Sequence, residues 1–101
     1  MSRRAARVDD NHAEILAAVR SLGALVVDTS AVGSGFPDAI IGWRGRLIWI
    51  EIKNSARPPS ARKLTPSQCV FHAEWARINC PVQIVETVSD ALRLLGAREG
   101  A

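Results

Sequence analysis

Two carboxylates and an ammonium close the most hydrophobic stretch of this chain, and their spacing points to chemistry. In GFPDAIIGWRGRLIWIEIK, residues 35–53, Asp38 opens one apolar run and Glu51-Ile52-Lys53 ends the next. Arg44-Gly45 between the runs reads as the turn of a hairpin. A turn centred there sets Trp43 against Arg46, Gly42 against Leu47, Ile40 against Trp49 and Asp38 against Glu51. Opposed residues hold their Cβ atoms about 4.5–5.5 Å apart on one face of a sheet, and alternation returns Lys53 to that face. Asp38, Glu51 and Lys53 are therefore expected together at one end of a sheet. The inference rests on the turn, because a slip of one residue sends every side chain to the other face.

Carboxylates held that close repel, and ionising both requires compensation. A divalent cation supplies it: Mg²⁺ takes oxygen ligands, commonly one or two carboxylates with water and substrate phosphate. A lysine beside such a metal stabilises charge developing on a phosphate, or orients and deprotonates an attacking water. The layout suits metal-assisted hydrolysis of a phosphodiester. The competing arrangement is a structural cross-strand ion pair of Lys53 with Asp38 or Glu51.

The elements that must position these groups follow from periodicity and punctuation. Acids at Asp9-Asp10, then Ile15, Val19 and Leu22 at helical spacing and a stop at Gly23, predict a first helix. ALVVDT reads as a short buried strand, before the turn-prone TSAVGSG and hairpin strands over 38–43 and 46–53. Thr65-Pro66-Ser67-Gln68 is a capping box with proline in the first turn, predicting a second helix that stops before Pro81. VQIVET is a further strand and SDALRLLG a last short helix. The order α-β-β-β-α-β-α predicts an α/β domain, a small mixed sheet flanked by helices. The hairpin strands, apolar on both faces, are expected at its centre and covered on both sides.

A length of 101 residues bounds the chain to one domain, with 1–8 and 97–101 as expected flexible tails. No apolar run approaches the roughly 18 residues of a membrane span, and the basic N-terminus lacks the apolar segment of a secretory signal. A protein inside the cell is expected, with Cys69 and Cys80 as buried thiols. The net charge of +3 leans toward a polyanion, and basic residues gather at Arg3, Arg4 and Arg7 and between Arg57 and Lys63, on a loop-like stretch. His12 and His72 show no partner pattern for a catalytic triad or a metal. Trp43, Trp49 and Trp75 read as core rather than as base-stacking platforms.

Read as a whole, the pattern is more specific. Pro37-Asp38 followed by Glu51-Ile52-Lys53 matches the signature of the PD-(D/E)xK nuclease superfamily. DDNHAEI, GSGFPDAIIG, WIEIK, PPSARKLTPSQ and IVETVSDALRLL, in that order and from about Asp9 to Leu95, resemble the VRR-Nuc family, particularly its short stand-alone members from phages and bacteria. The resemblance implies a restriction-endonuclease-like core in which Asp38, Glu51 and the Ile52 carbonyl bind Mg²⁺ or Mn²⁺ and Lys53 is the catalytic lysine. Gln68 matches a glutamine supporting the site, beside its capping role. The superfamily also contributes an acid from the first helix, for which Glu14 is the candidate as catalytic and metal-binding residue. A helical wheel instead aligns His12 with Ile15 and Val19 and puts Asn11 at the margin, so Asn11 acting through a water and an exposed, idle Glu14 remain alternatives.

Arg57, Ser60, Arg62 and Lys63 directly follow the catalytic strand and are the expected contacts to the DNA backbone. Gly33, Gly35 and Pro37 shape the backbone leading to Asp38. By resemblance the chain is a homodimeric endonuclease cutting branched DNA such as four-way (Holliday) junctions, in a bacterial cytoplasm and encoded by either a phage or its host. The alternatives are flap, nick or duplex-end specificity, or a DNA-binding module of the same fold without chemistry.

Overall fold

The computed structural model describes residues 10–96, so the tails and Arg3, Arg4 and Arg7 lie outside the described residues. The elements are α1 (His12–Ser21), β1 (Leu25–Asp28), β2 (Ala39–Trp43), β3 (Arg46–Ile52), α2 (Pro59–Arg62), α3 (Pro66–Arg77), β4 (Val82–Val85) and α4 (Val88–Leu94). This is the expected order with one addition. The basic stretch read as loop contains the single turn α2, begun by Pro59, whose missing N–H costs nothing in a first turn.

The strands lie in the order β1-β2-β3-β4, and β2 and β3 are central as expected. β1–β2 and β2–β3 are antiparallel and β3–β4 parallel, so the sheet is mixed. Arg44 (φ 47°) and Gly45 (φ 79°) both adopt the left-handed conformation of a type I′ turn, whose twist matches that of the flanking strands. That turn sets the register anticipated from the sequence, with Trp43 opposite Arg46, Gly42 opposite Leu47 and Ile40 opposite Trp49.

One face of the sheet carries the core. Ala39, Ile41, Ile48, Ile50 and Ile52, at alternate positions of β2 and β3, pack with Val85 against Ile15, Leu16 and Val19 of α1, Ala91 of α4 and Leu95 at its end. Trp43 closes the far end, its Nε1 donating to the Leu95 carbonyl at 2.8 Å while the Arg44 guanidinium lies 4.6 Å from the ring centroid.

The other face carries α3. Its Phe71 and Trp75 meet Trp49 of β3, with ring centroids 5.6 and 4.9 Å away, and Phe36 joins at 5.4 Å from Trp49. Trp75 thus packs on the sheet as expected. Full coverage of both faces, however, is not what forms. α3 has no buried residue and leaves Leu47 80 % exposed. β1 is an edge strand rather than a buried one, with Leu25 78 % and Val27 59 % exposed. The physical reason is that one helix of 12 residues cannot span a four-stranded sheet, and it sits over the aromatic cluster. Cys69 and Cys80 are likewise free and exposed instead of buried. Among the described residues no helix is long and apolar enough to cross a membrane.

Candidate active site

At the end of the sheet where β2 begins and β3 finishes, a cleft of about 730 Å³ opens between the 30–38 loop, the 57–63 stretch and the start of α3. Asp38, Glu51, Ile52, Lys53 and Gln68 all line it. The face assignment drawn from strand alternation therefore holds in space.

The β2–β3 ladder ends at Ala39–Ile50, one pair short of the expected opposition of Asp38 and Glu51. Asp38 instead brackets Glu51. Its N–H donates to the Ile50 carbonyl at 2.9 Å, and its Oδ2 accepts from the Ile52 N–H at 2.7 Å. The approach to Asp38 is held from two sides. The Thr29 hydroxyl donates to the Pro37 carbonyl at 2.8 Å. Gly35 (φ 87°) lies so close to α3 that a Cβ there would run into the backbone carbonyl of Ser67. Only glycine meets both demands at once.

Glu51 and Lys53 are both buried, 2 % and 8 % exposed, and such charges require hydrogen-bonded partners. Gln68 supplies one to each. Its Nε2 donates to Glu51 Oε2 at 3.0 Å, and its Oε1 accepts from Lys53 Nζ at 3.2 Å. The same Oε1 accepts the Thr65 N–H at 2.9 Å, completing the capping box. A carboxylate on one side and two donors on the other leave the amide a single orientation. Lys53 Nζ also donates to the Lys63 carbonyl at 3.4 Å, joining the ammonium to the basic stretch.

α1 contributes differently from expectation. Glu14 is exposed and does not line the cleft, because it points off the stripe that α1 buries. Asn11 acts as a backbone clamp, its Nδ2 donating to the carbonyls of Lys53 (3.1 Å) and Glu86 (2.7 Å). His12 is buried and lies 3.1 Å from Asp28 Oδ2, away from the site. The acid that α1's approach does bring to the cleft wall is Asp10, 3.9 Å from Arg57.

Arg57, Ser60 and Lys63 line the cleft. Arg62 does not; its guanidinium turns to Glu86, 3.8 Å away. His72, read as an ordinary histidine, stands with Nε2 3.5 Å from Glu51 Oε1. Burial, and then the Lys53 charge, push its pKa below the usual histidine value, so the ring is neutral near pH 7. The signal for it was its spacing, four residues after Gln68 and so on the same helical face.

A hard dication fits this donor set. Asp38, Glu51 and Ile52 share one cleft, and two carboxylates with a backbone carbonyl offer only oxygen, as Mg²⁺ and Mn²⁺ prefer. Among the described residues no group of three or more His, Cys, Asp and Glu side chains gathers, in this cleft or elsewhere. No family model and no curated protein sequence matches the chain.

Proposed function

We propose that this chain is a divalent-metal-dependent endonuclease hydrolysing DNA phosphodiester bonds, of the VRR-Nuc type within the PD-(D/E)xK nucleases. The observation that carries the reading is the bond network from Lys53 through Gln68 to Glu51 in the cleft that Asp38 also lines. A surface ion pair has no need of an amide bridging a buried lysine and a buried glutamate.

Asp38, Glu51 and the Ile52 carbonyl are the residues to hold Mg²⁺, or Mn²⁺ in its place. The metal supplies Lewis-acid polarisation of a phosphate oxygen and a lowered pKa for a bound water. The chain's own groups do the rest. Lys53, fixed by Gln68 and by the Lys63 carbonyl, presents its ammonium to charge gathering on the scissile phosphate. Water adds to phosphorus, the bond to the leaving sugar oxygen breaks, and that oxygen takes up a proton. Arg57, Ser60 and Lys63 on the cleft wall bind and orient the neighbouring backbone phosphates.

Branched DNA, cut by a homodimer in a bacterial cytoplasm, is the substrate and setting proposed. The exposed apolar positions Leu25, Val27 and Leu47, on one face of the sheet toward its β1 edge, support the dimer, since open apolar surface of this kind marks association sites. Two sites related by a two-fold axis suit paired incisions. The test is cleavage of a labelled four-way junction beside its matched linear duplex, with Mg²⁺ or EDTA, with Asp38→Ala as control. Metal-dependent cutting of the junction alone, lost in Asp38→Ala, is the expected result. Cutting of both substrates keeps the nuclease and discards the preference. A folded protein that binds DNA and cuts neither overturns the nuclease reading.

A further inference from the structure

Behind the cleft lies a half-buried histidine that the proposed chemistry leaves unused. His72 is on α3, one turn beyond Gln68, and does not line the cleft. Its side chain is 14 % exposed against 2 % for Glu51, and 3.5 Å separates His72 Nε2 from Glu51 Oε1. That Nε2 is buried without a hydrogen bond of ordinary length. Leaving a buried donor unsatisfied costs about 1–3 kcal/mol, so the contact is under pressure to close.

We infer that His72 is a positioning residue for the metal-binding carboxylate: α3 grips Glu51 by both oxygens, Gln68 holding Oε2 and His72 directing an N–H at Oε1. The inference rests on the nuclease reading and adds to it how one ligand is held. Several observations meet here. Spacing of four residues puts the two side chains on one helical face, so a single rigid element orients both carboxylate oxygens. Oε2 is already engaged at 3.0 Å, which limits rotation of the carboxylate, and Oε1 lies 3.5 Å from the imidazole Nε2. The Nε2–H tautomer is the one that donates to Oε1. Each carboxylate oxygen has a second lone pair, so both can accept from α3 and still face the cleft. α3 itself is anchored by the Thr65–Gln68 capping box and by Phe71, edge-on, and Trp75, tilted, packing against Trp49, so the grip is mounted on a fixed helix.

Partners that orient a metal ligand are worth about 10–100-fold in metal affinity. At a 3.5 Å contact the low end applies. The experiment is Mn²⁺ binding to the DNA-free protein by electron paramagnetic resonance, alongside the thermal midpoint, for wild type, His72→Phe and His72→Gln. His72→Phe keeps the ring volume and removes the donor, and glutamine restores an N–H at a similar reach. The expected result is affinity lowered roughly 10-fold in His72→Phe at an unchanged midpoint, largely recovered in His72→Gln. A folded His72→Phe binding Mn²⁺ as tightly as wild type overturns the role, as does His72→Gln binding no better than His72→Phe. Should His72→Phe not fold, His72→Leu takes its place as the donor-less variant: a loss that His72→Gln recovers supports the role, and wild-type affinity overturns it. A wild-type protein that takes up no Mn²⁺ overturns the nuclease reading itself, a result distinct from equal binding by wild type and variant.

Discussion

Gln68 and Glu51 meet through an Nε2–Oε2 hydrogen bond of 3.0 Å, and the other end of the same amide caps the helix that carries it. Helix initiation and site geometry therefore share one side chain. Substitutions in the capping box separate the two roles. Thr65→Ala removes the acceptor for the Gln68 N–H and the hydroxyl's contact with Ser67 Oγ, and is expected to lower stability by about 1 kcal/mol with cleavage little changed. Gln68→Ala keeps that backbone bond but loses the side chain's half of the box and both site bonds, and is expected to cost more stability and about 10–100-fold in cleavage. Urea melts with single-turnover cleavage of both variants check this, and equal activities would remove Gln68 from the site.

Lys53→Met keeps most of the aliphatic stem that the cleft wall encloses and removes the charge. Cleavage is expected to fall by about 10²–10³-fold, the scale of losing one electrostatic contact to a transition state. DNA affinity in a gel-shift assay and the urea midpoint are expected to stay near wild type. A collapse of folding in step with activity would make Lys53 a structural partner of Gln68.

Gly35→Ala tests the close approach between the loop before Asp38 and α3. The new methyl meets the Ser67 carbonyl and the φ of 87° is unfavourable for any side chain. Gly45→Ala meets nothing within 4 Å and carries only the conformational strain of its φ of 79°. Left-handed strain costs about 1–2 kcal/mol, so Gly35→Ala is expected to lose clearly more than Gly45→Ala. Urea denaturation of the two variants gives the comparison.

Asp28 supplies the acid dependence. Burial raises its pKa, but hydrogen bonds from the hydroxyl and N–H of Ser30 and from His12 outweigh that and hold it below the ordinary value. A carboxyl with a lowered folded pKa favours the folded state at pH values above its unfolded pKa of about 3.9. That contribution disappears as pH falls through the folded value. Asp28→Asn is therefore expected to be less stable than wild type at pH 7 and to converge with it toward pH 3. A gap between the two that stays constant over this range would exclude the linkage.

Much of this arrangement was legible from local rules. Arg44-Gly45 marked the hairpin turn, and alternation from that turn put Asp38, Glu51 and Lys53 on one face before any tertiary contact was known. Thr65-Pro66-Ser67-Gln68 announced α3 because a capping box is a relation among residues three apart. Turn type, strand parity and caps depend on neighbours in sequence, and that is why they can be read there.

Only the tertiary structure decided what each side chain faces across the sheet. Whether α3 would cover Leu47, Leu25 and Val27 depended on where one helix lands on a sheet wider than itself. Asn11 became a clamp on the Lys53 and Glu86 carbonyls, and Glu14 stayed outside the cleft, because the rotation of α1 is set by how Ile15, Leu16 and Val19 pack. His72 reached Glu51 through the same kind of packing. Residues far apart in sequence meet according to helix placement, and placement is fixed by the summed packing of the whole core, to which no single segment holds the key.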